Sequence, residues 1–375
     1  MTDGSAGETD RRVPGRVRVA VLFGGQSDEH DVALRSAQTV IGALDPQKYE
    51  VVPIGITREG RWLSGGDPLG RLIARSPMLS VGGGNGQRPP AADGGNESPP
   101  AALPAELRSG VDVVFPVLHG PRGEDGTVQG LLELAGLPYV GAGVLGSAVA
   151  MDKAMTKTIL AQAGLPQAPW RLIHRKEWES DADSITAWVE ESFGFPCFTK
   201  PANMGSSVGI AKAHNAAELA EAMDLAAHFD RRIVVEQGVD ARELEISVLG
   251  NDEPIASVAG EIVPSNEFYD YAAKYIDDRS ELIIPADLSH DTMGFVQELA
   301  IDAFRALDLA GMARVDLFLE RGTDRIYVNE VNTIPGFTSI SMYPRLWEAS
   351  GVPLSELVDR LIGLALERYD ERSRG

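Results

Sequence analysis

The stretch Arg314-Val315-Asp316-Leu317-Phe318-Leu319, a turn at Arg321-Gly322-Thr323-Asp324, and then Ile326-Tyr327-Val328-Asn329-Glu330-Val331-Asn332-Thr333 reads as a β-hairpin. Both runs are β-branched and aromatic with polar residues at alternate places, and the glycine falls between them. Side chains alternate along a strand, which puts Glu330 and Asn332 on one face. Pairing symmetric about Thr323 sets Asp316 opposite Glu330, and two carboxylates facing each other across a ladder repel. A divalent cation would relieve that repulsion. An all-oxygen set of Asp, Glu and Asn suits magnesium, which takes a few protein oxygens together with water and phosphate. A solvated strand face carrying ordinary surface acids would show the same pattern.

The chain has 375 residues, room for two or three domains, and its 43% hydrophobic and 24% charged content is ordinary for a soluble globular protein. There is no continuous apolar run of membrane-spanning length, and the first residues lack the basic start and apolar stretch of a secretory signal, so the cytoplasm is the expected compartment. A net charge of -21 argues against nucleic acid and anionic membranes as partners. The single cysteine, Cys197, lies in the apolar run Phe195-Pro196-Cys197-Phe198 and reads as a small buried hydrophobe.

Only seven of the 34 basic residues are lysines, at 48, 153, 157, 176, 200, 212 and 274. A chain that otherwise writes its cations as Arg keeps Lys153, Lys200 and Lys274 inside motifs. Lysine meets a phosphate as a compact point charge on a flexible stem, unlike the planar fork of arginine.

Residues 1–15 read as a disordered tail. Val17 to Phe23 is then a strand, Gly24-Gly25 a tight turn, Ser27 the N-cap of a helix through Ala43, and Glu50 to Thr57 a second strand. That βαβ unit exposes backbone N–H groups at its first strand-to-helix turn, where open α/β sheets bind ligands. Residues 82–104, rich in Gly and Pro, read as a flexible insertion. The strand Val111 to Leu118 runs into His119-Gly120-Pro121-Arg122-Gly123-Glu124-Asp125-Gly126 and a helix with Leu131, Leu132 and Leu134, closing an α/β domain over 16–141. Asp152 caps a helix ending at Gly164. A strand ending Phe198-Thr199-Lys200, a loop through Gly205-Ser206-Ser207-Val208-Gly209 and a strand Ile210 to Ala213 follow, and Asn215 caps a helix to about His228. The Gly-Ser loop could fold over phosphates or be a plain hairpin connection.

Two literal motif matches point elsewhere. Gly141-Ala142-Gly143-Val144-Leu145-Gly146 fits the dinucleotide fingerprint, but no acid follows about 20 residues later, and a turn between domains accounts for it. Gly205-Ser206-Ser207-Val208-Gly209 fits the serine-hydrolase elbow with Ser207 as nucleophile, but that elbow needs a helix where Ile210 to Ala213 reads as a strand. The P-loop and HExxH motifs are absent.

Seven separated segments in order carry a resemblance covering almost the whole folded length. They are Phe23-Gly24-Gly25-Gln26-Ser27-Asp28-Glu29-His30; Val117-Leu118-His119-Gly120 through Gly126-Thr127-Val128-Gln129-Gly130; Met151-Asp152-Lys153; Lys200-Pro201-Ala202; the Gly205 to Gly209 loop; Phe268-Tyr269-Asp270-Tyr271-Ala272-Ala273-Lys274-Tyr275; and Asn329 through Thr333-Ile334-Pro335-Gly336-Phe337-Thr338. With them the chain resembles the D-alanine:D-alanine ligases of the ATP-grasp superfamily. The resemblance implies an α/β (α+β) ATP-grasp fold of three domains: the N-terminal Rossmann-like domain, a central domain over 142–236 and a C-terminal domain over 237–375, the latter two clamping ATP.

The same resemblance implies the roles. Lys153, Lys200 and Lys274, with Ser206 and Ser207, would meet ATP phosphates, and Glu236, Gln237, Val239 and Glu243 its adenine and ribose. Asp316, Glu330 and Asn332 would bind two magnesium ions, with manganese an alternative. Glu29 would pair with the first D-alanine, with His119 nearby; Arg314 and the Gly336 N–H would stabilise the oxyanion; Ser341 and Met342 would meet the second D-alanine. Ser206 and Tyr275 would tie the lid 268–275 to Glu29. A homodimer working in peptidoglycan precursor synthesis is implied as well. Gln237 stands where some members have Lys. A D-alanine:D-serine or D-alanine:D-lactate ligase would share the ATP site, and a non-catalytic nucleotide-binding protein would be expected to lack Arg314 or a metal ligand.

Overall fold

The computed structural model describes residues 15–76, 79, 96–98, 103–108, 110–263 and 281–374. Apart from Gly15, the tail expected over 1–15 lies outside them, as do most of the 82–104 segment and the expected lid with Lys274 and Tyr275.

The first sheet holds β1 (Val17–Gly24), β2 (Tyr49–Ile56), β3 (Trp62–Ser64), β4 (Asn96–Ser98) and β5 (Val113–Val117) in the order β4-β3-β2-β1-β5. β1 pairs in parallel with β2 and β5, and β3 and β4 add antiparallel edges. The expected insertion therefore contributes an edge strand at 96–98. The helix His30–Ala43 begins later than the serine signal suggested: its N-cap is Glu29, and the Ser27 hydroxyl donates to the His119 carbonyl at 2.6 Å. Ser27 thus ties two βα loops together instead of capping. Gly24, at φ 89°, is required in this turn, since a Cβ would fall 2.2 Å from the Ile56 carbonyl oxygen.

The second sheet is antiparallel: β6 (Trp170–His174), β7 (Cys197–Pro201), β8 (Ala211–Ala213) and β9 (Arg232–Gln237), in the order β6-β9-β7-β8. Ala182–Ser192 and Ala216–Phe229 are its helices, the second capped by Asn215, whose side chain accepts from Glu218 N–H. Cys197 is buried in this core, and burial pushes its thiol up to about 11, which fits an inert packing role. A strand and no helix follows the Gly205 to Gly209 loop, so the hydrolase elbow is absent.

The third sheet, also antiparallel, holds β10 (Ala241–Gly250), β11 (Ile255–Val263), β12 (Glu281–Ile283), β13 (Gly311–Glu320) and β14 (Ile326–Asn332), ordered β12-β11-β10-β13-β14. The opening hairpin is β13–β14, and Asp316 stands opposite Glu330 as the pattern requires. It is not symmetric throughout. Leu317 pairs with Val328, so Asn329 is an extra residue bulged out of the ladder beside the acidic pair.

Gly141 to Gly146 is no mere turn: Gly143 caps the helix Val144–Met151. Gly146 lies inside that helix, where a Cβ would come 2.6 Å from the Asp308 carbonyl oxygen. Close packing accounts for that glycine. One core runs from Val21, Phe23 and Phe115 of the first sheet to Phe337, Trp347 and Leu361 near the other end of the chain, whereas the second sheet has its own. Among the described residues no helix is long and apolar enough to cross a membrane.

Candidate active site

The ends of all three sheets meet at a cavity of about 500 Å³. Lys153, Lys200, Ser206 and Ser207 line it from the second sheet and the helix before it. Glu29 and His119 come from the loops after β1 and β5, and Arg314, Glu330, Asn332, Gly336, Ser341 and Met342 from the third sheet and the segment after it.

At the lysine end, Asp152 caps the helix Lys153–Gln162 by accepting from Met155 N–H at 3.0 Å, and also accepts from Asn203 Nδ2 at 2.8 Å. That anchors the Gly-Ser loop to the helix start. Lys153 Nζ donates to the Met204 carbonyl at 2.6 Å. Ser206 and Ser207 both adopt left-handed backbone, at φ 54° and 60°, a strained geometry for non-glycine residues. The Ser206 hydroxyl is buried and without a hydrogen-bond partner among the described residues.

Lys200 Nζ lies 2.6 Å from Glu236 Oε2 and donates to Asn329 Oδ1 at 3.3 Å; Lys157 Nζ lies 2.6 Å from Glu236 Oε1. Burial opposes the charge on Glu236, but the two lysines overcome it and hold the carboxyl down to about 2. Burial likewise opposes the charge on Lys200, yet Glu236 and Glu330 leave it raised. Glu236, Gln237, Val239 and Glu243 are not in the cavity wall. The Glu236 carboxylate is taken by the lysines, and the Gln237 amide donates to the Phe193 carbonyl at 3.2 Å.

On the third sheet, Arg314 and Asp316 share a face of β13, with Asn332 and Glu330 opposite them on β14 and Glu245 opposite Asp316 on β10. Arg314 grips Asp316 with two hydrogen bonds of 2.7 Å and meets Glu245 Oε2 at 3.0 Å; Asn332 Nδ2 donates to Asp316 Oδ2 at 3.0 Å. Burial works against the Arg314 charge, but Asp316 and Glu245 hold its pKa far above the ordinary value. The repulsion expected between Asp316 and Glu330 thus has a cation built into the sheet. Among the described residues no three His, Cys, Asp or Glu side chains form a metal-binding group. Asp316, Glu330 and Asn332 still offer an oxygen-only set, two facing carboxylates and an amide, which is the donor chemistry magnesium takes when phosphate and water complete its shell.

At the other end, His119 Nδ1 donates to the Ile334 carbonyl at 2.9 Å, while Ser36 Oγ stands 3.4 Å from Nε2 and accepts from Phe337 N–H at 3.1 Å. Burial pulls the His119 pKa down; the imidazole holds the Ile334 end of the segment and Ser36 the Phe337 end, with Gly336 between them. Ser341 Oγ accepts from Thr338 N–H at 3.0 Å.

Among the cavity residues outside the expected site are two carboxylates, Glu124 and Glu245. Glu124 accepts from Gly120 N–H at 2.9 Å and Ile334 N–H at 3.3 Å, and burial with Glu29 nearby pushes it up to about 8. Its place in the loop after His119 was a usable signal. Glu245 also lines the cavity, and its two-residue spacing from Glu243 on β10 puts both on one face.

Family models described as D-ala D-ala ligase N-terminus and D-ala D-ala ligase C-terminus match residues 18–142 and 159–363. The chain is 51% identical over 362 residues to a D-alanine--D-alanine ligase of Heliobacterium modesticaldum, covering 95% of this chain and 96% of that one. It is 50% identical over 359 residues to the corresponding ligase of Geobacillus thermodenitrificans, covering 95% and 97%. The solved D-alanine-D-alanine ligase from Coxiella burnetii superposes with a TM-score of 0.79 at 36% identity, over 96% of this chain and 97% of that one. A D-Ala:D-Ser ligase from Enterococcus faecalis gives 0.78 at 35%, over 93% and 99%. With both halves matched and an ATP-grasp arrangement of sheets around one charged cavity, the chain belongs to the D-alanine:D-alanine ligase family.

Proposed function

We propose that the chain joins two D-alanine molecules into D-alanyl-D-alanine, a peptidoglycan precursor, with conversion of ATP to ADP and phosphate. The observation that carries this is that one cavity is lined together by Lys153 and Lys200, by Glu29 and His119, and by Arg314. The roughly 50% identity to D-alanine--D-alanine ligases favours D-alanine over D-serine or D-lactate as second substrate.

Lys153 and Lys200, with the Ser206 and Ser207 loop, take the ATP phosphates. Asp316, Glu330 and Asn332 would hold two magnesium ions, whose charge offsets that of the phosphates. Glu29 binds the ammonium of the first D-alanine, whose carboxylate attacks the γ-phosphorus as ADP leaves. The neutral amine of the second D-alanine then attacks the carbonyl of the acyl phosphate, the C–O bond to phosphate breaks, and the proton lost by the amine leaves with the phosphate as hydrogen phosphate. Arg314 and the Gly336 N–H stabilise the oxyanion formed in that attack, a role in which one donor typically contributes about 3 kcal/mol. Ser341 and Met342 receive the second substrate, and Lys274 and Tyr275 complete the site from the lid. Glu236, Gln237, Val239 and Glu243 meet the nucleoside, with Glu236 and Gln237 acting through their backbone because their side chains are engaged elsewhere. We read three working units, 16–141, 142–236 and 237–375, in a cytoplasmic homodimer.

Phosphate release measured with ATP, magnesium and either D-alanine, L-alanine, D-serine or D-lactate tests the reading. Release that rises with D-alanine alone supports it. ATP turnover indifferent to D-alanine refutes it, and a preference for D-serine or D-lactate as partner of D-alanine moves the chain to the other branch.

A further inference from the structure

Lys157 is 2% exposed and lies one turn after Lys153 on the helix Lys153–Gln162, but it is not in the cavity wall and has no place in the chemistry above. Its ammonium meets one oxygen of Glu236, and the other oxygen meets Lys200, both at 2.6 Å. Phe198 pairs with Glu236 and Lys200 with Val234 across β7 and β9, so Lys200 and Glu236 are diagonal neighbours on one sheet face. One carboxylate is therefore shared by a cation that reaches the cavity and a cation that does not.

The charge count matters because the three groups are buried together. Two ammoniums share one carboxylate, and Glu330 supports the charge of both lysines and Glu243 that of Lys200. Burial pulls Lys157 down, Glu236 supports its charge and Lys200 opposes it. Without Lys157, Glu236 and Lys200 would make a neutral pair, and an incoming phosphate would have to compete with a whole carboxylate for the Lys200 ammonium.

We propose that Lys157 is a positioning residue for nucleotide binding: by holding half of the Glu236 carboxylate it leaves the Lys200 ammonium charge available to the ATP phosphates. The proposal rests on reading Lys200 as a phosphate ligand. Lys157→Met keeps the length of the side chain and removes its charge. Its KM for ATP is expected to rise about tenfold or more, while its KM for D-alanine stays within about twofold. Lys157→Met/Glu236→Gln removes the ion pair as a unit, leaves Lys200 without that carboxylate partner and keeps the Glu236 backbone. It also serves if the single variant fails to fold, and its KM for ATP is expected to stay within about threefold of the wild type. Both KM values rising together in Lys157→Met, an unchanged KM for ATP, or a double variant more than about threefold weaker for ATP than the wild type overturns the role. D-alanine-dependent phosphate release by the wild type tests the ligase reading separately, so a flat ATP response in Lys157→Met rejects the positioning role alone.

Discussion

The Arg314 guanidinium is closed on Asp316 as a fork, Nε to Oδ1 and Nη2 to Oδ2, both at 2.7 Å. The proposed oxyanion donor and a proposed metal ligand thus hold each other on one strand face, and each sets the other's orientation.

Arg314→Met removes the guanidinium from among Glu245, Asp316 and Glu330. Loss of one partner of such a buried set costs about 3–5 kcal/mol, so thermal unfolding is expected several degrees lower. Magnesium is expected to recover part of that loss in the variant and to raise the wild-type midpoint less. Equal shifts in both proteins would contradict a cation site at these carboxylates. Arg314→Lys keeps the charge but not the fork, and phosphate release with saturating substrates is expected to fall about a hundredfold.

Ser206→Ala separates function from stability. A buried hydroxyl with no partner among the described residues contributes no net hydrogen bond to them, so its removal is expected to leave the unfolding midpoint unchanged or slightly higher. Turnover is expected to drop about tenfold. A clear fall in the midpoint would show that the hydroxyl serves the fold.

Gly336→Ala places a Cβ 2.8 Å from Ser341 Oγ. Ser341 must then leave its bonds with Thr338, a small displacement of a side-chain end. The expected outcome is a normal unfolding midpoint with the KM for the second D-alanine raised about tenfold and the KM for ATP unaltered. Parallel changes in both constants would count against a local effect.

Glu124 gives a pH signature. Its carboxyl, pushed up to about 8 from an ordinary 4.5 by burial and Glu29, holds its proton more tightly in the folded than in the unfolded chain. The stabilisation is full below the unfolded value and is lost as pH rises through about 8. The midpoint of the wild type minus that of Glu124→Gln is therefore expected to decline from pH 5 to pH 9. A difference independent of pH would rule out this titration.

Alternation and turn chemistry made the β13–β14 hairpin readable, including Asp316 facing Glu330, because strand faces repeat every two residues. The bulge at Asn329 was hidden, since one extra residue in a ladder leaves no compositional mark. Asp152 and Asn215 declared themselves as caps, whereas Ser27 carried the same signal and spends its hydroxyl on the His119 carbonyl, a tertiary contact no local rule sees. Of the site, Lys153, Lys200, Arg314 and Gly336 were legible through motifs. Glu124 and Glu245 were not, because their roles depend on which backbone amides and cations the fold brings beside them. The Arg314–Asp316 clamp was likewise missed, although the two-residue spacing placed both on one face.

The first sheet shares its core with Phe337, Trp347 and Leu361. During synthesis from the N-terminus, β1 and β5 are thus made more than 200 residues before Phe337, Trp347 and Leu361, which complete a cover begun by Leu34, Ala37 and Val40 of the helix after β1. Contacts of such long range form slowly and leave apolar surface exposed meanwhile. A nascent chain halted after the second sheet should therefore hold a finished four-stranded core beside an N-terminal sheet with only part of its cover, and the order of synthesis would not be the order of folding.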